Sequence, residues 1–141
     1  MKVIIAGSRQ LVAPIHVLTA IEKSQFNITE VVCGGARGVD EFGKKWADDH
    51  GIPVKPFYVS KSDWDLYGKV AGPMRNARMA QYADALIAVW DGESRGTKNM
   101  IQLAEQESNK REFYLFVYRV SYKFTKIHRN THPVNAEDLF S

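Results

Sequence analysis

Five short apolar runs, separated by stretches with helical periodicity, constrain this chain more than any other feature. They are Lys2–Ala6, Val31–Cys33, Val54–Val59, Ala85–Trp90 and Phe113–Tyr118. These runs are apolar almost throughout and do not alternate with polar residues. Strands of that kind are covered on both faces, as in a parallel sheet whose crossovers are helices. The intervening stretches suit that role. Pro14–Ser24 predicts a helix with Ile15, Leu18 and Ile21 on one face, and Val39–His50 another with Phe42 and Trp46 four apart. Gly51 and Pro53 then stop it. Pro73–Tyr82 carries the helical pattern Met74, Ala77, Arg78, Gln81, with Pro73 in a first turn. Thr97–Ser108 predicts a helix with Met100, Ile101 and Ala104 inward, while Ser60–Gly72 reads as a loop with one helical turn. The expected fold is α/β: a doubly wound parallel sheet of about five strands with flanking helices.

At 141 residues the chain is one domain's worth of protein. The expected division is a sheet domain over 1–118 and a basic extension over 119–141, which carries Lys123, Lys126, His128, Arg129 and His132. Tyr122–Ile127 is a candidate edge strand there. The formal net charge of +3 permits an anionic partner without specifying one. Cys33 is the single cysteine, so no intrachain disulfide can form, and His16, His50, His128 and His132 lack metal-ligand spacing. No metal is expected. The opening MKVIIAGSRQ lacks the apolar length of a signal peptide, and no run approaches the roughly 18 apolar residues of a membrane span. The expectation is a cytoplasmic protein without a membrane partner.

The glycines carry the functional information. Gly7-Ser8-Arg9 follows the first strand, Gly34-Gly35-Ala36-Arg37-Gly38-Val39-Asp40 the second, and Asp91 to Thr97, with Gly92 and Gly96, the fourth. In a parallel sheet these loops lie together beyond the carboxyl ends of the strands, where open α/β folds bind ligands. Glycine lets backbone approach a ligand, helix N-termini supply unpaired N–H groups, and arginine supplies a fork that matches phosphate. Arg9, Arg37, Arg75, Arg78 and Arg95 supply the arginines. The candidate ligand-binding residues are Gly7, Ser8, Arg9, Gly34, Gly35, Ala36, Arg37, Gly38, Asp40, Arg75, Asn76, Trp90, Asp91, Ser94, Gly96 and Thr97. Phosphate would take the arginines and the N–H groups, and Asp40 or Asp91 would accept from sugar hydroxyls.

Plainer roles stand beside these. Asp40, Ser94 and Thr97 are also helix-cap types, Asp91 can start a turn, and Arg75 and Arg78 can be a surface pair. Trp46 and Trp90 read equally as core. Trp64 and Tyr67, beside Asp63 and Asp65, fit either a lid that stacks on a base or an apolar plug. Neither the GxGxxG dinucleotide fingerprint nor the GxxxxGK[ST] phosphate loop is present.

Three stretches together resemble the SLOG superfamily of Rossmann-like proteins, in its YspA-like bacterial and phage branch. They are IIAGSR at Ile4–Arg9, VVCGGARGVDEFGKKWADDHGIPV at Val31–Val54, and YGKVAGPMRNARMAQYADALIAVWDGESRGTKNMI at Tyr67–Ile101. The resemblance spans about residues 2–118. It implies a single Rossmann-like domain and a nucleotide-like ligand, with no cofactor required. The superfamily includes the lonely-guy phosphoribohydrolases, whose helix arginine Arg75 resembles and whose Gly-Thr pair is kept as Gly96-Thr97. Met100 stands at the position of their catalytic glutamate, which leaves Glu93, Asp91 and Asp40 as the candidate catalytic carboxylates. It also includes the DNA-processing protein Smf/DprA, whose glycine loop and Arg-Asn-Arg helix are similar to Gly34–Asp40 and Arg75–Arg78.

The leading expectation is therefore binding or sensing of a nucleotide or nucleotide-derived ligand, ADP-ribose-like or a nucleoside phosphate. The alternatives are a phosphoribohydrolase-like nucleosidase and a binder of single-stranded nucleic acid. A homodimer or higher homo-oligomer is expected, with the aromatic-rich Phe113–Phe124 as one candidate surface.

Overall fold

The computed structural model describes residues 1–11, 13–35 and 38–121, and the backbone of 133–135. Six strands form one sheet: β1 (Lys2–Gly7), β2 (Glu30–Cys33), β3 (Val54–Pro56), β4 (Ala85–Trp90), β5 (Tyr114–Arg119) and β6 (Pro133–Asn135). Their order is β3-β2-β1-β4-β5-β6. The first five are parallel, in registers such as Val3 with Val31 and Ile4 with Leu86. The short β6 runs antiparallel to β5, pairing Val117 with Val134. It lies in the stretch beyond residue 118, whereas the candidate strand Tyr122–Ile127 falls outside the described residues.

Alternate side chains of each central strand enter opposite cores. Val3, Ile5, Val31, Ile87 and Val89 pack against α1 (Pro14–Ser24) and α2 (Val39–Asp49). Ile4, Ala6, Val32, Leu86 and Ala88 pack against α4 (Ala71–Tyr82) and α5 (Arg95–Lys110). Burial on both faces is why the strand sequences show no alternation. Met100, Ile101 and Ala104 point inward from α5, as their spacing predicts.

Several expectations need correction. The buried stripe of α1 is Val17, Ala20 and Ile21, while Ile15 and Leu18 are 59% and 46% exposed. In α4 the buried residues are Ala71, Asn76, Met79 and Ala80, and Arg78 and Gln81 are exposed. Strand β3 is shorter than expected. The irregular segment contains a true helix, α3 (Lys61–Tyr67), followed by a 3-10 turn at Gly68–Val70. A capping box starts α3: the Ser60 hydroxyl accepts from the Asp63 N–H at 3.0 Å, and Asp63 Oδ2 accepts from the Ser60 N–H at 3.3 Å. No residue of α3 is buried. Of the aromatic stretch that begins at Phe113, Phe113 and Tyr118 are buried and Tyr114 is exposed, and β6 flanks β5.

The chain winds from β1 outward to β3, then returns to β4 on the other side of β1. Neighbours β1 and β4 therefore leave the sheet in opposite directions. A crevice opens at their carboxyl ends for purely topological reasons.

Candidate functional site

Ser8 holds the two diverging strands at this switch point. Its N–H donates to the Val89 carbonyl at 3.1 Å, and its hydroxyl oxygen accepts from the Asp91 N–H at 3.1 Å. The residue is buried. One turn on, Asp91 Oδ1 accepts from the N–H groups of Glu93 and Ser94, both at 2.8 Å. Burial raises the Asp91 pKa, but the hydrogen bonds from Ser94, Glu93 and Ser8 outweigh it and leave the carboxyl below its ordinary value. Ser94 caps α5, its oxygen 3.4 Å from the Thr97 N–H and 3.1 Å from the Thr97 hydroxyl. The turn reading of Asp91 and the cap reading of Ser94 are thus real, while Thr97 is not a cap but lies in the first turn of α5 and pairs with Ser94. They shape a loop that leaves the first-turn N–H groups of Arg95 and Gly96 without intrahelical partners.

Two connected chambers lie along this edge. The first, about 490 Å³, is lined by Gly7, Ser8, Arg9, Asp40 and Arg75 on one side. Asp91, Glu93, Ser94, Gly96 and Thr97 line the other, with Met79 and Met100 among the apolar lining. The second, about 520 Å³, shares Arg9, Arg75, Asn76 and Gly96 and continues past Gly34 and Gly35 to Tyr58, Trp64, Lys69 and Arg95. Each volume suits a small ligand or a segment of one.

Arg75 stands between the chambers. Its Nη1 donates to the Gly34 carbonyl and its Nε donates to Asn76 Oδ1 at 3.0 Å. Asn76 in turn donates to Asn99 Oδ1 at 2.9 Å. Burial lowers the Arg75 pKa, opposed by the field of Asp40 and assisted by that of Arg9. A guanidinium remains charged through such a shift, so a fixed, partly desolvated cation faces both chambers. Glycine at 34 leaves room for the guanidinium: a Cβ there would sit 2.7 Å from Arg75 Nη1, so a side chain would displace the arginine from this position.

Most of the candidate residues therefore converge. Gly7, Ser8, Arg9, Asp40, Arg75, Asn76, Asp91, Ser94, Gly96 and Thr97 line the first chamber, and Gly34 and Gly35 line the second. Asp40 is buried and is not a helix cap: the cap position of α2 is Gly38, at φ 74°. Gly38 lines neither chamber but backs onto the Arg9 carbonyl. Trp90 also stays out of both: its indole donates to the Ser94 carbonyl at 3.1 Å, and Arg119 lies over its ring at 5.6 Å. Ala36 and Arg37 lie outside the described residues. Sequence reasoning missed Tyr58, Lys69, Met79 and Asn99. Only Asn99, two residues past the Gly96-Thr97 pair, sits beside a signal that could have marked it.

Met100 is 1% exposed and lines the first chamber. The place implied for a catalytic glutamate thus holds a buried thioether. Asp40, Asp91 and Glu93 are the carboxylates that do line the chamber. Among the described residues no cluster of His, Cys, Asp and Glu could hold a metal ion, and no helix is long and apolar enough to cross a membrane.

Residues 1–67 match the model of the YAcAr family, the YspA, cpYpsA-related SLOG family. The SLOG resemblance carried by the motifs is borne out over that segment. The chain is 38% identical over 80 residues to the Gene 61 protein of Mycobacterium phage D29, which covers 54% of this chain. It spans 63% of that protein's length. Its fold is similar to the X-ray structure of DNA processing protein A from Streptococcus pneumoniae, with a TM-score of 0.67 at 19% identity. That match covers 86% of this chain and 51% of the other.

Proposed function

We propose that this SLOG-family chain is a nucleic-acid-binding module that grips a single strand by a phosphate at the switch-point cleft. One observation carries this reading. The cationic wall of Arg9 and Arg75 faces a chamber that opens into a second, and the described residues lining the second include no carboxylate. A strand longer than one nucleotide needs such a continuation, and a polyanion favours one free of negative charge. The phosphate would sit against the Arg9 and Arg75 guanidinium groups and the first-turn N–H groups of α5. The similarity to a DNA-processing protein supports the same direction.

The second reading is a free nucleotide or nucleotide-derived ligand, a nucleoside phosphate or ADP-ribose-like molecule. Asp40, Asp91 and Glu93 in the first chamber favour it, because they suit ribose hydroxyls better than a second phosphate. Base release as in a nucleosidase would have to draw on those same carboxylates, since Met100 offers none.

Fluorescence anisotropy with a labelled single DNA strand separates the readings, run across a salt series with AMP and ADP-ribose as competitors. The expected result is strand binding that weakens linearly in log–log with salt and is displaced only weakly by the free nucleotides. Tight binding of either free nucleotide with no strand binding would replace the first reading by the second. Mass spectrometry of a bound nucleotide for released base would then decide on hydrolysis.

A further inference from the structure

We infer that the second chamber is a stacking subsite for one unpaired base, with Trp64 and Tyr58 as its aromatic platform. The inference rests on the strand-binding reading and adds the group that occupies this chamber. Trp64 is 51% exposed and Tyr58 58% exposed, and both line the same cavity. Large aromatic rings left half in water cost hydrophobic stabilisation, and they sit in a concave site rather than scattered over the surface.

Each ring is presented by a different device. Tyr58 lies against Gly35, where φ is +78° and a Cβ would come within 2.5 Å of the ring. The missing side chain is what lets the ring settle on the glycine loop. Trp64 rides on α3, which buries nothing and is fixed at its start by the Ser60–Asp63 capping box. Its ring is therefore held by local helix geometry and not by a core.

The charges around the rings select the ligand class. Lys69, Arg75 and Arg95 line the chamber together with Arg9. Among the described residues neither Lys69 nor Arg95 is ion-paired. Stacking faces flanked by cations fit a planar heterocycle with phosphates on its two sides, which is one nucleotide within a strand. A purely apolar partner would leave those cations buried and unpaired. The shared Arg75 sets the register: a phosphate on its guanidinium leaves the adjoining base next to the platform.

The test uses the full chain and three labelled probes. These are an oligothymidylate of about ten nucleotides, an abasic strand of equal length, and thymidine monophosphate. The wild-type chain should bind the base-bearing strand about tenfold more tightly than the abasic one. Trp64→Ala should erase most of that difference by weakening the base-bearing strand far more than the abasic one, and Trp64→Phe should restore part of it. Arg75→Ala should weaken both strands alike. Because Trp64 lies on a helix without a buried residue, the alanine variant should keep its melting temperature. Equal binding of base-bearing and abasic strands by the wild type, with Arg75→Ala still weakening both, overturns the stacking subsite and leaves strand binding intact. Binding of thymidine monophosphate but of neither strand overturns both.

Discussion

The two chambers share a wall and differ in nearly everything else. The first is built where strands end, with Ser8, Asp91, Ser94 and Thr97 joined by hydrogen bonds and three carboxylates facing the cavity. The second is assembled from the Gly34–Gly35 loop, Tyr58 and the first turns of α4 and α5, with α3 contributing Trp64, and its lining carries aromatic rings and cations. Rigid polar geometry suits a group of fixed shape such as a phosphate. An adaptable aromatic face suits a group that varies, such as a base. The contrast teaches that one cleft can divide anchoring from reading, with Arg75 as the partition.

The strongest way to break this division is Arg75→Ala. It removes the cation common to both chambers and leaves the Gly34 carbonyl without its donor. Strand affinity should fall by about two orders of magnitude, given the strength of charge-assisted hydrogen bonds. Arg75→Lys should recover only part, because lysine lacks the fork. Titration by anisotropy checks both, alongside a thermal melt to confirm folding. A smaller loss is expected for the exposed Arg9. Arg9→Ala should weaken strand binding about fivefold and lower the salt slope by about one, with no dependence on base identity.

The third prediction concerns the rigid chamber alone. Asp91→Ala removes the acceptor that orders the Glu93 and Ser94 N–H groups and should cost about 1 kcal/mol of stability, measured by urea unfolding at neutral pH. The Asp91 pKa is lowered in the fold, so its contribution is complete above the ordinary carboxylate value. It is lost as pH falls through the lowered value. Asp91→Asn should therefore flatten the acid limb of the stability profile. The smallest effect is expected at Glu93, an exposed carboxylate of the first chamber. Glu93→Gln should tighten strand binding about twofold by removing a like charge, and leave the base-bearing to abasic ratio unchanged. A change in that ratio would mean the chambers do not act separately.

The same contrast explains what the sequence disclosed. The switch-point residues were legible because each belongs to a loop directly after a strand, and the apolar strands announce where they end. Gly7, Ser8 and Arg9, the Gly34–Gly35 pair, and Asp91 to Thr97 could be placed on one edge from order alone. The second chamber was legible only in part: its glycines, arginines and Trp64 were marked, but Trp64 was not placed with Tyr58, Lys69 and Asn99. Hydrophobic periodicity reports faces that are buried, and α3 buries none, so its segment read as a loop despite the Ser60–Asp63 capping box. Tyr58, Lys69 and Asn99 come from three separate stretches of chain and meet only after folding. The face of α1 was misjudged in part: Ile21 is buried as its spacing suggested, but Val17 and Ala20 share its face, and Ile15 and Leu18 turn outward.

Gly7 has a consequence for how chains of this design can diverge. A Cβ there would lie 2.8 Å from Val39 Cγ2, so the floor of the anchoring chamber admits no side chain. No residue of α3 is buried, so apart from Asp63 of the capping box its side chains are less constrained by packing. Substitution is thus constrained unequally: the floor at Gly7 has no room for a side chain, whereas the exposed Trp64 position can change without disturbing a core.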